Sequence, residues 1–165
     1  MSRTIQVAPV RKTLRVRATP ARAFEVFTAQ MTRWWPATHT ILKSPFKEAV
    51  IEPRAGGRWY HLGEDGAACE TGSVRVWDPP LAAKEEGRLV LVWRLNAKWE
   101  YDPALDTEVE ILFIPDGDAT RIEFEHRHIE RMGEGAEAAR AAVDGPNGWT
   151  GILDDYRRFA EGEGR

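Results

Sequence analysis

At 165 residues, with 42% apolar and 30% charged residues, the chain has the composition of a soluble globular protein long enough to bury a full core without staples. Its net charge of −3 argues against nucleic acid or an anionic membrane surface as a partner. One cysteine, Cys69, excludes an internal disulfide and fits a reducing compartment. Met1–Val7 has no signal-peptide core and no later run is long enough to span a bilayer, so the expectation is a cytoplasmic protein without membrane insertion. The length is that of one domain, residues 1–165 with its core at about 10–161. Seven tryptophans are unusual for this size, and point to an aromatic core or a lined cavity.

Thr13–Arg17 alternates apolar and polar, a half-buried strand with Leu14 and Val16 inward. Thr19-Pro20 starts a short helix with Thr19 as cap, and Phe24, Val26, Phe27 and Met31 form its apolar face. Thr32–Pro36 reads as a second brief helical turn stopped by the proline, and 37–53 as a loop holding one short strand near Glu48–Glu52. From Gly57 the pattern is an antiparallel meander: Arg58–Leu62, Ala68–Trp77 and Arg88–Leu95, then an irregular connection over Asn96–Asp106. Thr107–Ile114 and Thr120–Ile129 make a hairpin around Pro115-Asp116-Gly117-Asp118. On its second strand Ile122, Phe124, His126 and His128 share one face. Arg131–Gly145, rich in Gly, Ala and Glu, reads as a mobile loop or a loosely held helical turn. The chain closes on an amphipathic helix with Trp149, Ile152, Leu153, Tyr156, Phe159 and Ala160 in one stripe, Asn147 as N-cap, Asp154 one turn before Arg158, and Gly162 ending the run. Strands followed by one long helix give an α+β domain whose sheet curls around that helix.

Several stretches carry a family resemblance. They are Val16-Arg17-Ala18-Thr19-Pro20, Ala23-Phe24, Phe27-Thr28, Arg33-Trp34-Trp35-Pro36 and Pro53-Arg54-Ala55-Gly56-Gly57-Arg58-Trp59. Gly72-Ser73-Val74, Trp77-Asp78-Pro79-Pro80, Leu89-Val90 with Trp93, Gly117 to Glu125-His126, and Gly148-Trp149 complete the set. In that order, over nearly the whole chain, the sequence resembles the activator-of-heat-shock-ATPase homologue family of the START-like (SRPBCC) superfamily. The resemblance implies a helix-grip fold: a curved antiparallel sheet of about six or seven strands wrapped around the C-terminal helix, with two short helices after the first strand and a cavity between sheet and helix. Superfamily members bind lipids, hormones and polyketides, and some catalyse cyclisation or ring hydroxylation, so the fold leaves the function open.

In that architecture Trp59, Trp93, Phe113, Phe124, Trp149 and Leu153, with Val74, are expected on the concave side, and Trp34-Trp35 at one end. Together they make the expected partner a small apolar or aromatic ligand. His61 shares strand parity with Trp59, and His126 and His128 share a face with Phe124, so these three are polar anchors or acid/base candidates. Glu70 shares parity with Gly72, Val74 and Val76 and is the one glutamate expected inward. His61, His126 and Glu70 are thus the catalytic candidates for a cyclase- or hydrolase-type alternative. No companion carboxylate or cysteine completes a metal site, and no glycine-rich phosphate loop or nucleophile elbow is present, so no metal or cofactor is expected. His39 is a possible lid residue, and Cys69 an ordinary strand cysteine. A homodimer through the sheet edge or the Trp34–Pro36 end is compatible with the pattern. The family name adds a chaperone partner as a third reading.

Overall fold

The computed structural model describes residues 7–82 and 84–162; residues 1–6, read above as lacking a leader core, lie outside them. Seven strands form one antiparallel sheet: β1 (Val10–Val16), β2 (Phe46–Ile51), β3 (Arg58–Gly63), β4 (Ala68–Asp78), β5 (Gly87–Trp93), β6 (Thr107–Asp116) and β7 (Ala119–Arg127). Their order is β1-β7-β6-β5-β4-β3-β2, a meander whose last strand is joined by the first. Helices α1 (Pro20–Thr28) and α2 (Met31–Trp34) connect β1 to β2, and α3 (Ala136–Asp144) and α4 (Trp149–Ala160) follow the sheet. This is the helix-grip architecture, with α4 held in the concave face.

Alternation along the strands puts Trp59, Leu89, Leu91, Trp93, Val109, Ile111, Phe113, Ile122 and Phe124 in the core beneath α4. The opposite face is wet and carries a ladder of cross-strand ion pairs: Arg75 to Asp106 (2.6 Å) and Glu108 (2.5 Å), Arg127 to Glu108 (2.9 Å), Arg88 to Glu110 (2.7 Å) and Arg11 to Glu125 (2.6 Å). Two bulges in β4 curl the sheet. The pairing skips Thr71 against β3 and Arg75 against β5, so the strand bends twice within five residues. Between those bends a Cβ on Gly72 would lie 1.7 Å from the Val92 carbonyl oxygen, so only glycine lets β4 approach β5 there.

Side-chain hydrogen bonds and ion pairs fix the helices. Thr19 caps α1 by accepting the Arg22 amide at 3.2 Å, as its position before Pro20 implies. Trp34 donates to the Val26 carbonyl (2.8 Å), and Tyr156 of α4 donates to the Ala23 carbonyl of α1 (2.7 Å). Asp154 pairs with Arg158 at 3.1 Å. Two local expectations are sharpened. Of the two readings of the 131–145 segment, mobile loop or loosely held helical turn, the helical one holds: a 3-10 turn over Ile129–Met132 is followed by α3. Ala136, Ala139 and Val143 of α3 are buried, and Arg140 donates to the Ala8 (2.6 Å) and Pro9 (3.0 Å) carbonyls. Its alanine face is too weakly apolar to read as periodic. The cap of α4 is Gly148, without a side-chain cap bond; the carbonyl of Asn147 instead faces His39. A Cβ on Gly148 would meet the Val143 and Ala142 carbonyls at 2.4 and 2.5 Å, so glycine is required where α3 turns into α4.

Candidate functional site

The N-terminal end of α4 does not fill the concave face. Between it, the 36–42 loop, His61 of β3, Thr71 of β4, the end of β5, the β5–β6 connection and the last turn of α3 lies a cavity of about 530 Å³. Rings dominate its wall: Trp35, Trp93, Trp99 and Trp149, with Ile41, Leu95, Val143 and Ile152 between them. Trp149 is the hub, its ring centroid 4.7 Å from Phe124, 5.7 Å from Trp93 and 6.0 Å from Trp35.

The indole N–H groups of three of these rings are already used. Trp35 donates to the His39 carbonyl (2.8 Å), Trp93 to the Leu95 carbonyl (3.0 Å) and Trp149 to His126 Nδ1 (3.1 Å). They therefore present apolar ring surface to the cavity. The Trp35–His39 bond also anchors the 36–42 loop, and His39 Nε2 lies 2.6 Å from the Asn147 carbonyl, tying that loop to the α3–α4 corner across the cavity.

The buried histidines differ in their surroundings. His126 is fully enclosed, with Nε2 3.1 Å from Thr107 Oγ1 while that hydroxyl donates to the Trp93 carbonyl at 2.9 Å. Since Thr107 gives its proton to Trp93 and Trp149 gives its own to Nδ1, His126 carries its proton on Nε2 and has neither nitrogen free. Burial pushes its pKa down to about 3, so it is neutral. His61 is 3% exposed and lines the cavity; its Nδ1 is 2.8 Å from Thr40 Oγ1, and its Nε2 has no partner. Burial lowers its pKa to about 4.

Of the residues singled out from the sequence, Trp35, His39, His61, Trp93 and Trp149 meet at the cavity. Trp34, Trp59, Val74, Phe113, Phe124, His126 and Leu153 are buried in the core around it without forming its wall. Two leave the site altogether. Glu70 faces outward to pair with Arg58, because the Thr71 bulge breaks the parity that placed it beside Val74. His128 lies past the end of β7 with φ 65°, which swings it off the inner face to 3.7 Å from Glu108 and 3.8 Å from Glu130. Cys69 sits opposite His61 on β4, its thiol pKa raised by burial, as befits an unreactive strand cysteine.

Sequence reasoning missed Thr40, Thr71 and Trp99. Thr71 enters the wall through its bulge, and Thr40 sits on a loop without periodicity. Trp99 is 43% exposed at the cavity edge and has φ 61°, a left-handed conformation that bulky side chains avoid. Its turn enforces this: Asn96 Oδ1 accepts the amides of Lys98 (2.9 Å) and Glu100 (3.0 Å) on either side, and the Trp99 amide donates to the Asn96 carbonyl (2.9 Å). Among the described residues no three His, Cys, Asp or Glu side chains are grouped to hold a metal ion, and no helix is long and apolar enough to cross a membrane.

Solved structures share this architecture along nearly their whole length. Txn09, an anthrahydroquino-γ-pyrone synthase, is 34% identical with a TM-score of 0.63, over 92% of this chain and 96% of its own. CalC from Micromonospora echinospora, a self-sacrificing resistance protein, is 33% identical with a TM-score of 0.67, over 94% and 96%. The dimeric Aha1 of Colwellia psychrerythraea shares the fold at 12% identity, with a TM-score of 0.57 over 94% and 97%. No curated protein matches the chain. Residues 17–159 match the family model described as Activator of Hsp90 ATPase homolog 1-like protein, and the chain belongs to that family.

Proposed function

We propose that the chain binds a small, flat, apolar or aromatic molecule in the cavity at the N-terminal end of α4, contacted by Trp35, Trp93, Trp99 and Trp149, with His61 on the same wall. The observation that carries this reading is a cavity of about 530 Å³ walled by indole faces whose N–H groups are mostly used elsewhere. Such a wall favours ring stacking over polar recognition. Kinship with Txn09, a synthase of an anthrahydroquino-γ-pyrone, supports an aromatic ligand of that general kind.

Fluorescence titration with the tricyclic hydrocarbon fluorene tests the reading. Saturable quenching is expected, and it should vanish in Ala142→Trp, which fills the cavity from an exposed position on its wall. Quenching that never saturates, or that survives that substitution, contradicts it.

Txn09 also favours a second reading, a cyclase-type enzyme working in the same cavity. Of the candidate acids and bases His61, His126 and Glu70, His61 is the one that lines the cavity. Turnover of an aromatic polyketide panel that disappears in His61→Leu would establish it; no turnover by the wild type leaves binding as the activity.

A further inference from the structure

We propose that the cavity selects its ligand by charge: it takes an aromatic frame whose polar substituents are uncharged, and turns away carboxylates, phosphates and ammonium groups. This deepens the binding reading above and rests on it. The residues around the cavity include no Asp, Glu, Lys or Arg, in a chain where those four types make up 30% of the residues. Burial alone does not account for this. The exposed part of the wall, with Thr38, Trp99, Ala142 and Asn147, is equally free of them. Charged residues next in sequence to the wall are held off it. Arg94, between Trp93 and Leu95, donates to the Pro103 and Leu105 carbonyls at 3.0 Å each. Asp144, between Val143 and Gly145, pairs with Lys12 at 2.5 Å and Arg140 at 3.5 Å. Lys98 and Glu100, on either side of Trp99, do not border the cavity.

An ion entering this space loses water and gains no counter-charge. The wall's polar groups are largely occupied with one another. Thr38 Oγ1 lies 3.1 Å from His39 Nδ1, His39 Nε2 donates to the Asn147 carbonyl at 2.6 Å, and Thr40 Oγ1 lies 2.8 Å from His61 Nδ1. Burial keeps the His61 ring itself neutral. One feature favours an anion, the N-terminal end of α4, whose macrodipole acts as a partial positive charge. That attraction is worth about two- to five-fold in affinity, whereas taking an unpaired ion out of water costs at least about a hundred-fold. Desolvation therefore decides, and the cation, which the helix end repels, fares worst.

Fluorene-2-carboxamide, fluorene-2-carboxylate and fluorene-2-carboxamidinium are planar and nearly isosteric, and differ by one unit of charge at pH 7.5. Equilibrium dialysis of the three against the full chain isolates that charge. Wild type is expected to hold the carboxamide at least about ten-fold more tightly than the carboxylate and about a hundred-fold more tightly than the amidinium. Ala142→Lys, on the exposed part of the wall, should raise carboxylate affinity relative to the carboxamide about ten-fold, and Ala142→Asp should do the same for the amidinium. Either ion bound by wild type within ten-fold of the carboxamide overturns the proposal and leaves the cavity reading intact. So does a carboxamide rejected as strongly as the ions while fluorene still binds, and so do Ala142 charges that leave the ranking unchanged. Wild type that binds neither fluorene nor the carboxamide overturns both.

Discussion

Trp149 at the start of α4 donates its indole N–H to Nδ1 of His126 on β7, 3.1 Å away, and that bond pins the gripped helix to the sheet that grips it. His126 looks like a catalytic histidine by composition and burial. Its hydrogen bonds make it a clamp, with one nitrogen on Trp149 and the other on Thr107. His126→Leu should therefore lower unfolding free energy by about 2–4 kcal/mol, chiefly through the orphaned Trp149 donor. Urea denaturation of His126→Leu, Trp149→Phe and the double variant should show strong coupling between the two sites. Additive effects would show that the bond contributes nothing.

Acid should destabilise the fold in a defined window. His61 and His126 have folded-state pKa values of about 4 and about 3, against 6.5 unfolded. Both are neutral in either state above pH 6.5, so their stability contribution is complete there. As pH falls below 6.5 the unfolded chain takes up protons that the folded chain refuses. Stability drops by about 1.4 kcal/mol per pH unit for each histidine until the folded values are reached. Urea midpoints between pH 7 and 4.5 should fall accordingly, and His61→Leu should remove about half the slope. A flat profile across that window contradicts neutral burial.

The corner between α3 and α4 depends on the missing side chain of Gly148. Gly148→Ala forces a Cβ into the Val143 and Ala142 carbonyls, so it should cost about 1–3 kcal/mol and weaken fluorene binding, since Gly148 and its neighbours line the cavity. Thermal melting and dialysis check the two effects separately. An unchanged melt would mean that the corner yields at no cost.

Trp99 offers the opposite separation of stability from binding. Its left-handed backbone suits glycine, so Trp99→Gly should leave stability within about 1 kcal/mol of wild type while removing a ring from the cavity edge. Fluorene affinity should fall roughly five-fold. A large stability loss would show that the indole is a packing residue instead.

What the sequence made legible, and what it hid, follows from these contacts. Alternation along β7 correctly placed Ile122, Phe124 and His126 inward, because that strand pairs without a bulge as far as Arg127. The same rule failed one step later at His128, where a positive φ ends the strand, and at Glu70, where Thr71 slips the register. Neither event leaves a mark in a period-two pattern. The stripe of α4 was clear from its large rings, whereas α3, built on alanines, had too little contrast. Trp99 and Thr40 owe their positions to hydrogen bonds within loops, which no spacing rule anticipates.

Native mass spectrometry of the protein purified from its own host, against its denatured mass, tests the ligand-cavity claim most directly. The account predicts a retained small aromatic molecule that is lost on denaturation and absent from Ala142→Trp. A clean unliganded mass, together with no saturable fluorene binding, would contradict it.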